Sequence, residues 1–322
     1  MTPLGYVPIL LGLLTFLLGS RLGRRLPPAA IVRLGTALAL TIAVMTGLVL
    51  GVAAVLGFRT VQAAERRGAR LAPGLPISAS TVTGAVAALV VFLLLASAVR
   101  YFVRATRSLL QASVDSRRLG PIHSGLIVVD DETPTAFAVA GVPGHVVVST
   151  AMLEALDAPE RKVLLAHEAA HLRHHHHVFT QLAQLSAAAN PLLRPLARVI
   201  VANTERWADE VAAQEVGSRD LVARGLARAA LARHAHAHSA SPKMPAEQGR
   251  LSAVLGAADV ELAERLDLLL KPAPRRSRAI SALLVAIALA CGVTGSAAVL
   301  QGHQQIERLE LGAGATVGSP AR

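Results

Sequence analysis

The chain has 322 residues, 53% of them hydrophobic and only 16% charged, and its mean hydropathy of +0.50 excludes an ordinary water-soluble domain. The formal net charge of +11 comes mainly from arginine, but aromatic residues make up 3% and the arginines stand beside apolar runs. Direct nucleic-acid binding is therefore not expected, and the charge is read as flanking spans through a lipid bilayer.

Crossing the roughly 30 Å hydrocarbon core takes about 20 helical residues. Four apolar stretches approach or reach that length: Pro3 to Ser20, Leu34 to Phe58, Ala79 to Val99 and Ala279 to Leu300. The first is not read as a signal peptide, because no basic residue precedes its apolar run and Arg21, Arg24 and Arg25 follow it. Lys and Arg collect in short cytoplasmic loops. The group Arg21 to Arg33, the group Arg100 to Arg118 and the group Lys271 to Arg278 all fall inside if the N-terminus is outside. The loop from Arg59 to Ser78 runs against that topology, with Arg59, Arg66, Arg67 and Arg70 against Glu65 alone.

Between the third and fourth spans, the composition and turn signals change. Strand-like runs at Gly125 to Val129, Thr135 to Ala140 and His145 to Ser149 are separated by Asp130–Asp131, Gly141 and Pro143–Gly144. A capping box of Asp157 and Glu160, with Pro159 in the first turn, then opens a helix running through His171. Asn190–Pro191 and Pro195 break the pattern before a second helix from Leu196 to Val216. The segment from His234 to Gln248 reads as a mobile loop, followed by a last helix near Val260 to Leu270. Cys291, the only cysteine, lies in the fourth apolar run, where it is expected as a small buried hydrophobe. A disulfide or cysteine-rich metal site is thereby excluded, so any metal must be held by His and carboxylate.

His167-Glu168-Ala169-Ala170-His171 is an H-E-x-x-H motif. Four residues is slightly more than one helical turn, so both imidazoles project from one face and can grip one ion. Glu168 then stands beside the metal, placed to take a proton from water. Zinc catalysis needs a third protein ligand and an open position. Glu205, in Glu205-Arg206-Trp207-Ala208-Asp209, is the expected ligand; Asp209, one turn on, is expected in the second shell, accepting the free ring N–H of a zinc-bound histidine.

These motifs, with Ala136–Phe137, the Gly141 to Thr150 strand region, Asn190-Pro191-Leu192 and the flanking spans, make a chain that resembles the BlaR/MecR-type antirepressor membrane metallopeptidases, family fifty-six of the metallopeptidases. The resemblance implies zinc ligands at His167, His171 and Glu205 and a catalytic acid/base at Glu168. It also implies a protein substrate, a cytoplasmic transcriptional repressor of the BlaI/MecI kind. Two departures stand out. Family members that sense β-lactams continue into a large external domain, where this chain has only Gln301 to Arg322, so direct acylation is not expected. A basic pair and an acidic residue often follow the second histidine, where this chain reads His174, His175, His176 and His177.

The expected fold is a mainly α polytopic membrane protein with about four transmembrane helices and an α+β zincin-like metallopeptidase domain between spans three and four. In residue numbers, 1–99 holds three spans and their loops, 100–278 the cytoplasmic peptidase domain, 279–300 the fourth span and 301–322 a short external tail. The expected activity is that of a zinc endopeptidase in the cell membrane. An HtpX-like quality-control protease and a non-catalytic metal-binding signalling protein are the alternatives.

Consecutive helical residues point in different directions, so the run His174 to His177 is expected as incidental polar surface, and His234, His236 and His238 as flexible loop. One of these histidines, or Arg265, is a candidate for the oxyanion. His145 is expected on a cross-strand surface, and Trp207 packed against the active-site helix. Ala136 to Ala140 is a candidate edge strand for an extended peptide.

Overall fold

The computed structural model describes residues 6–22, 26–66, 79–118, 122–141, 143–240, 260–272 and 278–315. Most of the chain is helical, around one small mixed sheet. The first three helices are α1 (Val7–Leu22), α2 (Pro28–Arg66) and α3 (Ala79–Arg118), and the last is α10 (Arg278–Ala315). Three of them contain stretches long and apolar enough to cross a membrane: Pro28–Arg59, Val82–Ser116 and Arg278–Arg308. The first expected span is shorter than that, an apolar helix over Val7–Leu17. Large apolar side chains point outward from these helices, among them Phe92 (67% exposed) and Val293 (68%), a surface suited to lipid rather than water. α2 is the central column, packed against α10, α3 and α1 and against the later helices His176–Ala189 and Arg194–Val216. Small residues set its spacing. Gly84 of α3 lies directly on Gly57, and Gly295 and Gly302 of α10 lie on Met45 and Val52, so a Cβ at any of the three would collide with α2.

The sheet has the order β1-β3-β2, from β1 (Leu126–Val129), β2 (Ala136–Val139) and β3 (His145–Ser149). β1 runs parallel to β3, and β2 antiparallel to it with Phe137 opposite Val147. β3 is wholly buried, so His145 is not on a cross-strand surface as expected but inside, because the middle strand is covered on both sides and on both edges. Ser149 caps α4 (Thr150–Ala155) by accepting from the Met152 N–H. α5 (Ala158–Arg173) opens on the expected capping box: Asp157 accepts from the Glu160 N–H, and Glu160 accepts from the Asp157 N–H.

His175 adopts φ 52°, a left-handed conformation that ends α5 and turns the chain into α6 (His176–Ala189). Asn190 caps a 3₁₀ turn over Pro191–Leu193, and α7 (Arg194–Val216) follows and ends at Gly217 with φ 74°. α8 (Arg219–Ala240) corrects the expected loop: His234, His236 and His238 lie on a helix, because the alanines between them, Ala235 and Ala237, are strong helix formers that continue the preceding turns. Residues 241–259 lie outside the described residues. α9 covers 260–269, as expected. At the other ends, α2 continues to Arg66 and α10 to Ala315, so parts of the expected loop Arg59–Ser78 and tail 301–322 are helical; 67–78 and 316–322 lie outside the described residues.

The largest apolar core links α2 and α10 to the α6–α7 hairpin. It joins Ile31, Val32, Leu38 and Ile42 of α2 to Ala183, Leu193, Leu196, Ile200 and Trp207 of the α6–α7 hairpin, and takes in Leu284 and Cys291 of α10. The hairpin tip reaches deep among the spans, where Asn190 Nδ2 donates to Thr46 Oγ1 at 3.4 Å and Leu192 packs on Gly12. A second core, with Val163, Ala166, Ala212, Val222, Leu226 and Leu269, ties α5 to α7, α8 and α9.

Candidate metal centre

α5 and α7 lie side by side, which brings the two sequence motifs together. His167 and His171, one turn apart on α5, face each other with 3.2 Å between their Nε2 atoms. Glu205 of α7 closes the triangle, with Oε2 3.6 Å from His167 Nε2 and Oε1 3.6 Å from His171 Nε2. One donor atom from each residue lies within 4.8 Å of the others, so the three form a group able to hold a metal ion. Donors arranged tetrahedrally at zinc-like bond lengths of about 2.0–2.1 Å stand about 3.3 Å apart, and the three spacings here suit that set. Two imidazoles and one carboxylate leave a fourth position open. Glu210, further along α7, is paired with Arg219 instead.

Around this triangle lies a second ring of polar contacts. Asp209 is buried one turn beyond Glu205, with Oδ1 3.0 Å from His167 Nδ1, close enough for a hydrogen bond but off the ring N–H direction. Arg265 of α9 reaches Glu205 Oε2 at 3.3 Å as well as Asp209. Of the oxyanion candidates, Arg265 is thus engaged with two carboxylates. His176 corrects the reading of the histidine run as polar surface: it is buried, its Nδ1 is 3.1 Å from His171 Nδ1, and its ring lies 4.7 Å from that of Trp207. The left-handed His175 swings it back onto α5, where an unbroken helix would carry it away. Trp207 packs as expected, between His174, His176 and the Arg33 guanidinium 4.9 Å above it.

Burial and these neighbours set the protonation of the metal-free site. Burial disfavours a charged His167, but Asp209 and Glu205 outweigh it and raise its pKa to about 9. For His171, burial dominates and the positive charges of His167 and Arg265 add to it, so its pKa falls to about 4. Burial would raise Glu205, yet His167, His171 and Arg265 hold it down to about 2. Glu168 is raised, by burial first and then by Glu205, although His167, Arg233 of α8 and the Ala138 N–H pull the other way. Arg233 gave no signal in the sequence, since it is one arginine among many on α8.

The site opens into a cavity of about 400 Å³, walled by His167, Glu168 and His171 on one side, Thr180 and Gln181 of α6 on another, and Ala136 to Ala138 of β2 on a third. Among the described residues β2 pairs in the sheet only with β3, and its other edge borders the cavity, where the Ala138 N–H meets Glu168.

An H-E-x-x-H helix, a carboxylate from a neighbouring helix and an adjacent strand edge together define a metallopeptidase site. The family description "Peptidase family M48" matches residues 121–209, a stretch that includes His167, Glu168, His171, Glu205 and Asp209. That match supports a metal-dependent peptidase acting on proteins or peptides, and the apolar helices around it fit association with a lipid bilayer. No curated protein and no solved structure matches the chain.

Proposed function

We propose that the protein is an integral-membrane zinc endopeptidase. The observation that carries this reading is the convergence of His167, His171 and Glu205 beside Glu168, in a cavity bordered by a strand edge. The donor set and its spacings fit zinc. When bound, the ion supplies Lewis acidity to the scissile carbonyl and to water.

The chain's own residues supply the rest. Glu168, with its pKa raised by burial, takes the proton from the attacking water and delivers it to the leaving amine. The β2 edge lays an extended peptide along the cavity through backbone hydrogen bonds. His171 must present a bare Nε2 to the metal position, so its proton sits on Nδ1, which donates to His176 Nδ1. Asp209 fixes His167 in the same sense, with Nε2 bare and Nδ1 protonated.

By resemblance to the BlaR/MecR-type antirepressors, the proposed substrate is a cytoplasmic transcriptional repressor, and the peptidase face is proposed to lie in the cytoplasm. A second reading, an HtpX-like protease that clips membrane proteins, is favoured by the place of the cavity. Its α6 wall belongs to the hairpin that packs among α2 and α3.

Purified protein is expected to hold about one zinc. His167→Ala, His171→Ala and Glu205→Ala should lower that content, and Glu168→Gln should keep it while abolishing peptide cleavage. Full activity in Glu168→Gln would sink the mechanism. Reporters fused at residue 150 and at the C-terminus are expected on opposite sides of the membrane; finding both on one side would overturn the proposed orientation.

A further inference from the structure

A second cavity, of about 390 Å³, lies further along the same face of α6 as the first, at Gln184, Ala187 and Ala188. Arg100 and Arg104, one turn apart on α3, form one wall, and Arg194 and Arg198, one turn apart on α7, form another; Tyr101 and Gln184 complete it. No Asp or Glu lines it, and among the described residues none of the four arginines has an ion pair with a carboxylate. Like charges one turn apart repel, so these two exposed pairs facing one cavity favour an anion between them. Orientation in the membrane explains why arginines lie on this side of α3, but it does not require two helices to aim them into the same space.

The depth of the cavity indicates the source of that anion. Arg100 lies 18 residues beyond Val82, where the apolar stretch of α3 begins, which is about 27 Å along the helix and close to the full hydrocarbon thickness. On the same face of α3 as Arg100, two and three turns back toward Val82, Leu93 and Leu89 expose apolar side chains. We propose that this cavity binds the phosphate of an anionic phospholipid, with the guanidinium forks on the phosphate oxygens and the acyl chains along the apolar face of α3. The headgroup would sit next to the catalytic cleft: Tyr101 donates to Gln181 Oε1 at 2.7 Å, and Gln181 lines the catalytic cavity.

The proposal stands independently of the catalytic reading and is tested by binding. Full-length protein in detergent is stripped of lipid and titrated with short-chain phosphatidylglycerol or phosphatidylcholine, with bound lipid counted by native mass spectrometry. One phosphatidylglycerol is expected to bind roughly tenfold or more tighter than phosphatidylcholine. The pair Arg100→Gln and Arg198→Gln should erase that preference, while Arg107→Gln with Arg224→Gln, an equal loss of charge outside the cavity, should keep it. Equal affinity for the two lipids overturns the proposal, as does an equal loss in both variant pairs. Inorganic phosphate that displaces the lipid at matching concentration would assign the cavity to a soluble phosphate and overturn the lipid assignment.

Discussion

Arg265 holds Asp209 through two hydrogen bonds, Nε to Oδ2 at 2.8 Å and Nη2 to Oδ1 at 2.7 Å, and the same Oδ1 stands 3.0 Å from His167. A residue on α9 thereby holds the carboxylate that stands beside a proposed zinc ligand on α5. Asp209→Asn is expected to give a folded, zinc-loadable protein with turnover or zinc affinity lowered about 10 to 100-fold. Asp209→Ala should be worse, because it also removes both hydrogen bonds to the mostly buried Arg265 guanidinium and leaves it only Glu205 at 3.3 Å. Zinc titration and thermal unfolding of the two variants separate these effects. Wild-type behaviour in Asp209→Ala would reduce Asp209 to a bystander.

The metal-free site should exchange a proton for zinc. With His167 raised to about 9 and His171 lowered to about 4, the metal-free protein at neutral pH carries one charged and one neutral imidazole. Both must be neutral to bind metal. Calorimetry in buffers of different ionisation enthalpy is expected to find about one proton released per zinc at pH 7, and fewer as the pH rises through about 9. Because the folded pKa lies above the ordinary 6.5, this histidine stabilises the metal-free fold fully below that value. That contribution is lost as the pH climbs through about 9. Release of no proton at pH 7 would show that His167 is already neutral.

His176→Ala should weaken zinc binding about 10 to 100-fold, since the His171 ring loses the partner that sets its tautomer. His176→Asn should recover part of the loss, because an amide oxygen can still accept from His171 Nδ1. Competition with a chromophoric chelator measures both, and fluorescence of the neighbouring Trp207 reports whether the local packing survives. Unchanged affinity in the alanine variant would make His176 a packing residue only.

The cap of α5 is a stability device for the site. Asp157→Ala should cost about 1 kcal/mol, a typical value for losing an N-cap side chain. Glu160→Ala should cost more, since Glu160 is buried, caps the same helix end and holds Arg228 at 3.1 Å. Chemical denaturation of the two variants checks the order, and the reverse order would mean that the reciprocal half of the box carries little.

Much of this site was legible because its logic is local. The spacing of His167 and His171 sets a shared face, and Asp157-Ala158-Pro159-Glu160 announces the helix that presents them. Glu205 could be found because it lies on the next well-formed helix after a clear break at Asn190–Pro191. What escaped depends on chain geometry that composition does not encode. A left-handed non-glycine residue in the middle of four histidines gives no warning, so His176 looked like surface. Hydropathy marks α2 as apolar but not what covers it, so the burial of Ile31 and Leu38 under the α6–α7 hairpin was invisible. The four arginines of the second cavity were legible one by one as charge, while their convergence needed the packing of α3 against α6.

The core shared between the spans and the α6–α7 hairpin has a consequence for how the enzyme comes into being. The helix that carries Glu205 rests on Ile31, Val32 and Leu38, which are made early, and the same core includes Leu284 and Cys291, which are made last. A ribosome emitting residue 209 has delivered every proposed ligand, yet the hairpin seat is still missing the final helix. Catalytic competence is therefore expected to arrive only after insertion of that helix, which would leave the nascent chain inert while its own unfolded segments are within reach.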